Sequence, residues 1–221
     1  MADIRLIEIK EDILSDNKNL AGEIRDSLRA KKVFLLNLMA SPGAGKTSLI
    51  LQTIRRLKDT FRIGIIEGDI DSIVDAEKVT KEGVPAVQLR TGGFCHLDAS
   101  MISMALAEMD LANLDLVIIE NVGNLVCPAE FDTGAMRNAM ILSVPEGDDK
   151  PLKYPLMFSI CDVLVVNKID YLAGSDFDMA AFRDRVLKLN PGIRIFEVSC
   201  KTGEGLEAWT GWLSGEVETL N

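Results

Sequence analysis

Short apolar runs alternate along this chain with longer stretches whose apolar residues recur at helical spacing. Runs at 33–39, 62–67, 86–89, 116–120, 163–167 and 195–199 are rich in Val, Ile and Leu and mostly lack the polar alternation of a half-exposed strand. Such runs predict strands covered on both faces. Helical stretches fall near 46–58, 75–82, 98–110, 177–189 and 205–213. Strands and helices in alternation predict an α/β fold of three layers, a mostly parallel central sheet with helices on both faces. Ahead of the first strand, Ile13, Leu14, Leu20, Ala21, Ile24 and Leu28 mark an amphipathic helix, with Lys and Asp between them. It is expected to pack on the sheet, with contact to a second copy as the alternative. The expected division is an N-terminal helical segment at 1–31 laid against one domain at 32–221.

Between the first strand and the next helix stands Ala40-Ser41-Pro42-Gly43-Ala44-Gly45-Lys46-Thr47-Ser48. A glycine-rich turn that joins a buried strand to a helix is a phosphate cradle, because its backbone N–H groups and the helix N-terminus point at an anion. Gly43, Ala44, Gly45, Lys46, Thr47 and Ser48 are the expected nucleotide contacts, Lys46 reaching the β- and γ-phosphates and the Thr47 hydroxyl taking Mg2+. Ala40 stands where the P-loop pattern has its first Gly, a place that needs only a small residue.

Three further strand ends carry complementary chemistry. Asn167-Lys168-Ile169-Asp170 follows the strand at 163–167, and an Asp170 carboxylate accepts from guanine N1–H and its N2 amine, which adenine does not offer. Leaving that carboxylate unpaired against adenine costs about 1–3 kcal/mol or more, so it selects guanine. Asn167 is expected on the N7/O6 edge, the Lys168 methylenes over the ring, and backbone N–H groups of Ser199-Cys200-Lys201 on O6. Glu120-Asn121-Val122-Gly123 ends the strand at 116–120, with Glu120 suited to Mg2+ and Gly123 to a γ-phosphate.

His96 is the only histidine in the chain and adjoins Cys95, one of four cysteines; Cys127 lies four residues beyond Gly123. Two thiolates and an imidazole suit Ni2+ or Zn2+ rather than Mg2+ or Ca2+. They are one ligand short of a closed tetrahedral set, which favours reversible loading. On residue types alone they read equally as small buried thiols beside a surface histidine. Cys161 and Cys200 are expected to be inert.

Composition narrows the classes further. A net charge of −10 argues against nucleic acid or an anionic membrane as the main partner. The apolar runs are too short to span a membrane, and charges from Asp3 onward argue against a signal peptide, so a cytoplasmic location is expected. Four unpatterned cysteines fit a reducing compartment.

Thr91-Gly92-Gly93-Phe94-Cys95-His96-Leu97-Asp98-Ala99 and Glu120-Asn121-Val122-Gly123-Asn124-Leu125-Val126-Cys127-Pro128-Ala129 resemble the signature segments of the HypB family, the nickel-incorporation GTPases of [NiFe]-hydrogenase maturation. The resemblance implies a P-loop NTPase domain of the SIMIBI class, GTP/GDP with Mg2+, and a Ni2+ or Zn2+ site at or near the interface of a GTP-dependent homodimer. It implies a HypA-type nickel chaperone and the hydrogenase large subunit as partners. It further places Asp69 and Asp75 in the first switch segment near Mg2+ and the γ-phosphate, which with Lys46 and Glu120 gives the expected catalytic set. The Cys-rich or His-rich N-terminal tract of some members is absent from this sequence, so all metal chemistry is expected in the G domain. No Gln closely follows Gly123, the two glutamines being Gln52 and Gln88, and slow intrinsic turnover is expected. The charged stretch at 146–151 reads as a solvated turn, with Lys153 beyond it placed to reach a nucleotide across a dimer. The alternatives are a urease-accessory-like nickel GTPase, whose Cys-Pro-His motif is replaced here by Cys127-Pro128-Ala129, and a P-loop small-molecule kinase.

Overall fold

The structure is a computed structural model that describes residues 9–69 and 78–220. Seven strands form one sheet: β1 (Phe34–Ala40), β2 (Ile63–Asp69), β3 (Ala86–Arg90), β4 (Leu116–Glu120), β5 (Arg137–Ser143), β6 (Val163–Asn167) and β7 (Arg194–Glu197). Their order is β3-β2-β4-β1-β5-β6-β7, and every pair is parallel. All C-terminal strand ends therefore meet at one edge, where open α/β sheets bind ligands.

Alternation along the strands sorts side chains into two layers of core. Leu36, Leu38, Ile118, Ile141 and Val165 face one side. There they meet α2 (Lys46–Leu57) through Leu49, Ile50 and Ile54, and the C-terminal helix Leu206–Glu218 through Trp209 and Leu213. Trp209 Nε1 donates to Thr53 Oγ1 at 2.9 Å, so the buried indole leaves no donor stranded. On the other side, Leu35, Val117 and Ile119 pack against α1 (Ile9–Ala30) and α3 (Ala99–Ala107). Met140, Leu142, Leu164 and Val166 form a second cluster on that side with Phe158 and Phe182.

The N-terminal helix buries Ala21, Ile24 and Leu28 in the first of these two clusters. Arg25 fixes its register, donating to Ala135 O and to both oxygens of Asp132. Among the described residues no helix is long and apolar enough to cross a membrane.

Two expectations need correction. The strand β5 is absent from the sequence reading, although Ala139–Ser143 is wholly buried. Its Arg137-Asn138 start and its Ala139-Met140 pair lack the β-branched signature, and burial between two strands overrides that weak propensity. The stretch at 146–151 is not simply a solvated turn either. Glu146 closes a capping box with Ser143, accepting from its N–H at 2.7 Å and its hydroxyl at 2.8 Å, and also accepts from Ser41 Oγ in the phosphate loop.

Candidate functional site

At the C-terminal edge, Pro42, Gly43, Gly45, Lys46, Thr47, Ser48, Glu67, Asp69, Glu120, Gly123 and Lys168 line a cleft of about 570 Å3, the size of a small-molecule site. Gly43 and Gly45 take φ of +77° and +105°, backbone shapes that other residues adopt only with strain. Gly45 precedes α2, so the helix N-terminus opens into the cleft. Lys46 Nζ lies 3.5 Å from Ser41 O, across the loop. Thr47 Oγ1 donates to Glu120 Oε1 at 2.9 Å, so a hydroxyl and a carboxylate, hard oxygen donors of the kind Mg2+ takes, stand side by side. Glu67, which sequence reasoning missed, is buried level with Glu120 on the neighbouring strand. Its signal was available, since an acidic residue follows Ile65-Ile66 at a strand end. Asp69 ends β2 on the cleft wall, and Asp75 lies outside the described residues.

A second cavity of about 220 Å3 joins the cradle and is lined by Gly45, Ser48, Asn167, Lys168, Asp170, Tyr171, Cys200 and Lys201. Asp170 Oδ1 accepts from Ser199 Oγ at 2.7 Å, which aims the carboxylate. Asn167 does more than the base edge requires. Its Nδ2 donates to Ala44 O at 3.0 Å, and its Oδ1 accepts from Lys168 N and Cys200 N. One amide thus stitches the phosphate loop to both base loops, and one Nδ2 hydrogen is left for a ligand. Lys168, at φ +62°, carries its Nζ to Gly43 O at 2.7 Å, so its methylenes bridge cradle and base pocket. The expected backbone donors are fewer than three. Ser199 N donates to Glu204 O and Cys200 N to Asn167, because the loop closes on itself; Lys201 remains as the third of that set. Gln52 holds Cys200 O from α2, and burial pushes the Cys200 thiol up to about 11. Burial also raises the Cys161 thiol, so both cysteines stay protonated and inert.

Cys95, His96 and Cys127 come together: one donor atom from each lies within 4.8 Å of the others. The two sulfurs are 2.7 Å apart, and the Cys95 sulfur raises the Cys127 thiol above its ordinary value. His96 stacks on Phe131 at 3.8 Å between ring centroids, and burial lowers its pKa, which favours the neutral imidazole. Phe131 gave no signal in the sequence. Asn124 Nδ2 donates to Cys95 O at 3.3 Å, tying the two halves of the cluster. Gly123, on the same loop as Cys127, packs so closely on the phosphate loop that a Cβ would lie 3.2 Å from Pro42 N.

The fold and these two sites define a P-loop nucleotide-binding protein with a thiolate–imidazole donor set hung beside its phosphate cradle. Residues 34–197 match the family model described as CobW/HypB/UreG, nucleotide-binding domain. The chain belongs to that family, and within it to the HypB hydrogenase maturation factors. It is 46% identical over 97% of its length, and 71% of the relative's, to Hydrogenase maturation factor HypB of Azotobacter vinelandii. HypB of Archaeoglobus fulgidus superposes with a TM-score of 0.86 at 38% identity, covering 92% of this chain and 99% of that one. HypB of Helicobacter pylori, solved in complex with nickel, gives 0.87 at 39% identity over 92% of this chain and 96% of its own. The signal recognition particle receptor FtsY of Elizabethkingia anophelis shares the fold alone, with a TM-score of 0.55 at 15% identity over 82% of this chain and 65% of its own.

Proposed function

We propose that this chain hydrolyses GTP to GDP and phosphate and uses the nucleotide state to load and release Ni2+, with Zn2+ as a competing ion, for insertion into [NiFe]-hydrogenase. The observation that carries the reading is the sharing of one loop: Glu120 and Gly123 line the nucleotide cleft, and Cys127 follows in the metal cluster. Soft donors take nickel as cargo, and the nickel-bound Helicobacter pylori relative supports that choice of metal.

In this reading Asp170 selects guanine, the backbone of Gly43–Thr47 and Lys46 hold the phosphates, and Gly123 senses the γ-phosphate. Thr47 and Glu120 would hold Mg2+, which when bound would neutralise charge on the β- and γ-phosphate oxygens. Asp69 and Asp75 act from the first switch. The switch loops close around GTP, two copies of the chain associate, and hydrolysis releases both contacts. A HypA-type chaperone supplies the metal and the hydrogenase large subunit receives it. A relative in Helicobacter hepaticus is named Hydrogenase/urease maturation factor HypB, so urease is a second recipient to test.

Nickel titration with light scattering, on the unmodified chain and on Cys95→Ser, His96→Ala and Cys127→Ser, each with GDP and a non-hydrolysable GTP analogue, tests the reading. Nickel affinity that depends on the nucleotide and falls in all three variants supports it. Equal affinities in both nucleotide states, or variants that bind as the unmodified chain does, would refute it.

A further inference from the structure

A row of three asparagines runs under the sheet on the face that carries α1 and α3. Asn37 on β1, Asn121 just past β4 and Asn138 on β5 divide the two apolar clusters of that face. Asn37 and Asn121 are wholly buried. Asn121 Nδ2 donates to Asn37 Oδ1 at 3.1 Å, and Asn37 Nδ2 donates to Asn138 Oδ1 at 3.0 Å. Asn138 N in turn donates to Asp162 Oδ2 at 2.8 Å, anchoring the far end.

The near end of the row reaches both sites. Asn121 Oδ1 accepts from Val122 N at 2.9 Å and from Leu97 N at 3.1 Å. Val122 and Gly123 line the nucleotide cleft, whereas Leu97 immediately follows His96. The Leu97 side chain sits where a Cβ on Gly68 would be, 2.6 Å from its Cδ1, so the metal loop also presses on the strand that ends at Asp69. Asn121 N donates to Leu38 O, which leaves the residue bonded at its backbone and at both side-chain atoms. A buried group committed this fully has no slack, because any shift of one neighbour strands a polar atom away from water.

We propose that Asn121 is the positioning residue that couples the two sites. When Gly123 and Val122 move toward a γ-phosphate, the Asn121 carboxamide, pinned from behind by Asn37, carries the Leu97 N–H with it and re-aims His96 and Cys95 against Cys127. This inference rests on the proposed link between nucleotide state and metal grip, and adds the residue that transmits it.

The test is a thermodynamic cycle on full-length chain: Ni2+ affinity by competition with a chromophoric chelator, in GDP and in the GTP analogue, for the unmodified chain, Asn121→Ala, Asn121→Asp and Asn37→Ala. Coupling of this kind is worth about 5- to 150-fold between states. The ratio is expected to collapse toward one in both Asn121 variants and to fall partway in Asn37→Ala. Nucleotide affinity with and without Ni2+ is expected to lose the same factor, by linkage. A purely structural role would lower the melting temperature and weaken both affinities while keeping the ratio. A ratio within twofold of the unmodified value in whichever variants fold overturns the inference and leaves the proposed function standing. A ratio of one in the unmodified chain overturns both.

Discussion

Gly43 and Gly45 sit two residues apart in the phosphate loop, both with positive φ, yet alanine at the two positions meets different obstacles. At Gly43 a Cβ finds nothing within 4 Å, so the cost is backbone strain alone, about 1–2 kcal/mol. At Gly45 the Cβ lands on Asn167 Nδ2, the atom that donates to Ala44 O. The variant carries the same strain and also breaks a buried hydrogen bond worth about 0.5–1.5 kcal/mol, leaving a carbonyl stranded, for a sum of about 1.5–3.5 kcal/mol. An empty loop escapes by rearranging, so the penalty falls on binding, which has to restore the loop. At about 1.4 kcal/mol per tenfold, Gly43→Ala is expected to weaken GDP binding by about 5- to 30-fold and Gly45→Ala by about 10- to 300-fold. Titration of a fluorescent GDP analogue measures both, with melting temperatures of the nucleotide-free proteins to confirm folding. If Gly45→Ala binds as tightly as Gly43→Ala, the stitch through Asn167 is not what shapes the cradle.

Asp170→Asn is expected to lower GDP affinity by about 10- to 200-fold and to improve binding of xanthosine diphosphate, since the new amide can donate where guanine itself donates; loss of both nucleotides alike would count against Asp170 as the base reader. Trp209→Ala removes a buried indole and its bond to Thr53, and chemical denaturation is expected to show a loss of about 3–5 kcal/mol; a loss below 1 kcal/mol would contradict the packing described. The Arg62 guanidinium beside Asp115 holds that carboxyl below its ordinary value. A depressed carboxylate stabilises the fold above the unfolded pKa, about 3.9, and ceases to do so as pH falls through its folded pKa. The melting-temperature gap between Asp115→Asn and the unmodified chain is therefore expected to be full at about pH 6 and to narrow as pH falls below about 3.9, and a gap that did not narrow in acid would exclude this origin.

The sites were legible in the sequence wherever chemistry and local backbone coincide. Gly43 to Thr47, Glu120 and Asn167 to Asp170 each follow an apolar run, and a parallel sheet gathers such strand ends whatever their separation along the chain. Cys95, His96 and Cys127 were legible as residue types, but their meeting depends on two loops folding back together, which spacing does not show. What stayed hidden has non-local causes. Strand β5 lacks β-branched residues in its first half and is held by its neighbours on both sides. Asn37, a polar residue inside an apolar run, reads as an interruption until its partners just past β4 and on β5 are known. Phe131 stacks on His96 across 35 residues of chain, and Glu146 reaches Ser41 across 105. Asn167 was read as a base contact, while most of its capacity goes to holding loops together.

That last arrangement bears on how a nucleotide would leave under the proposed function. Since a single carboxamide fastens the Ala44 carbonyl to the turn that begins at Lys168, the loops proposed to hold the diphosphate and the purine share one latch. A docking protein that levered the Ile169–Gly174 turn outward would slacken both grips in one stroke, without touching the cysteines on the other flank of the cleft. Under the proposed function, nucleotide exchange would then start at the Lys168 turn and metal transfer at the Cys127 loop, two separate places on the molecule.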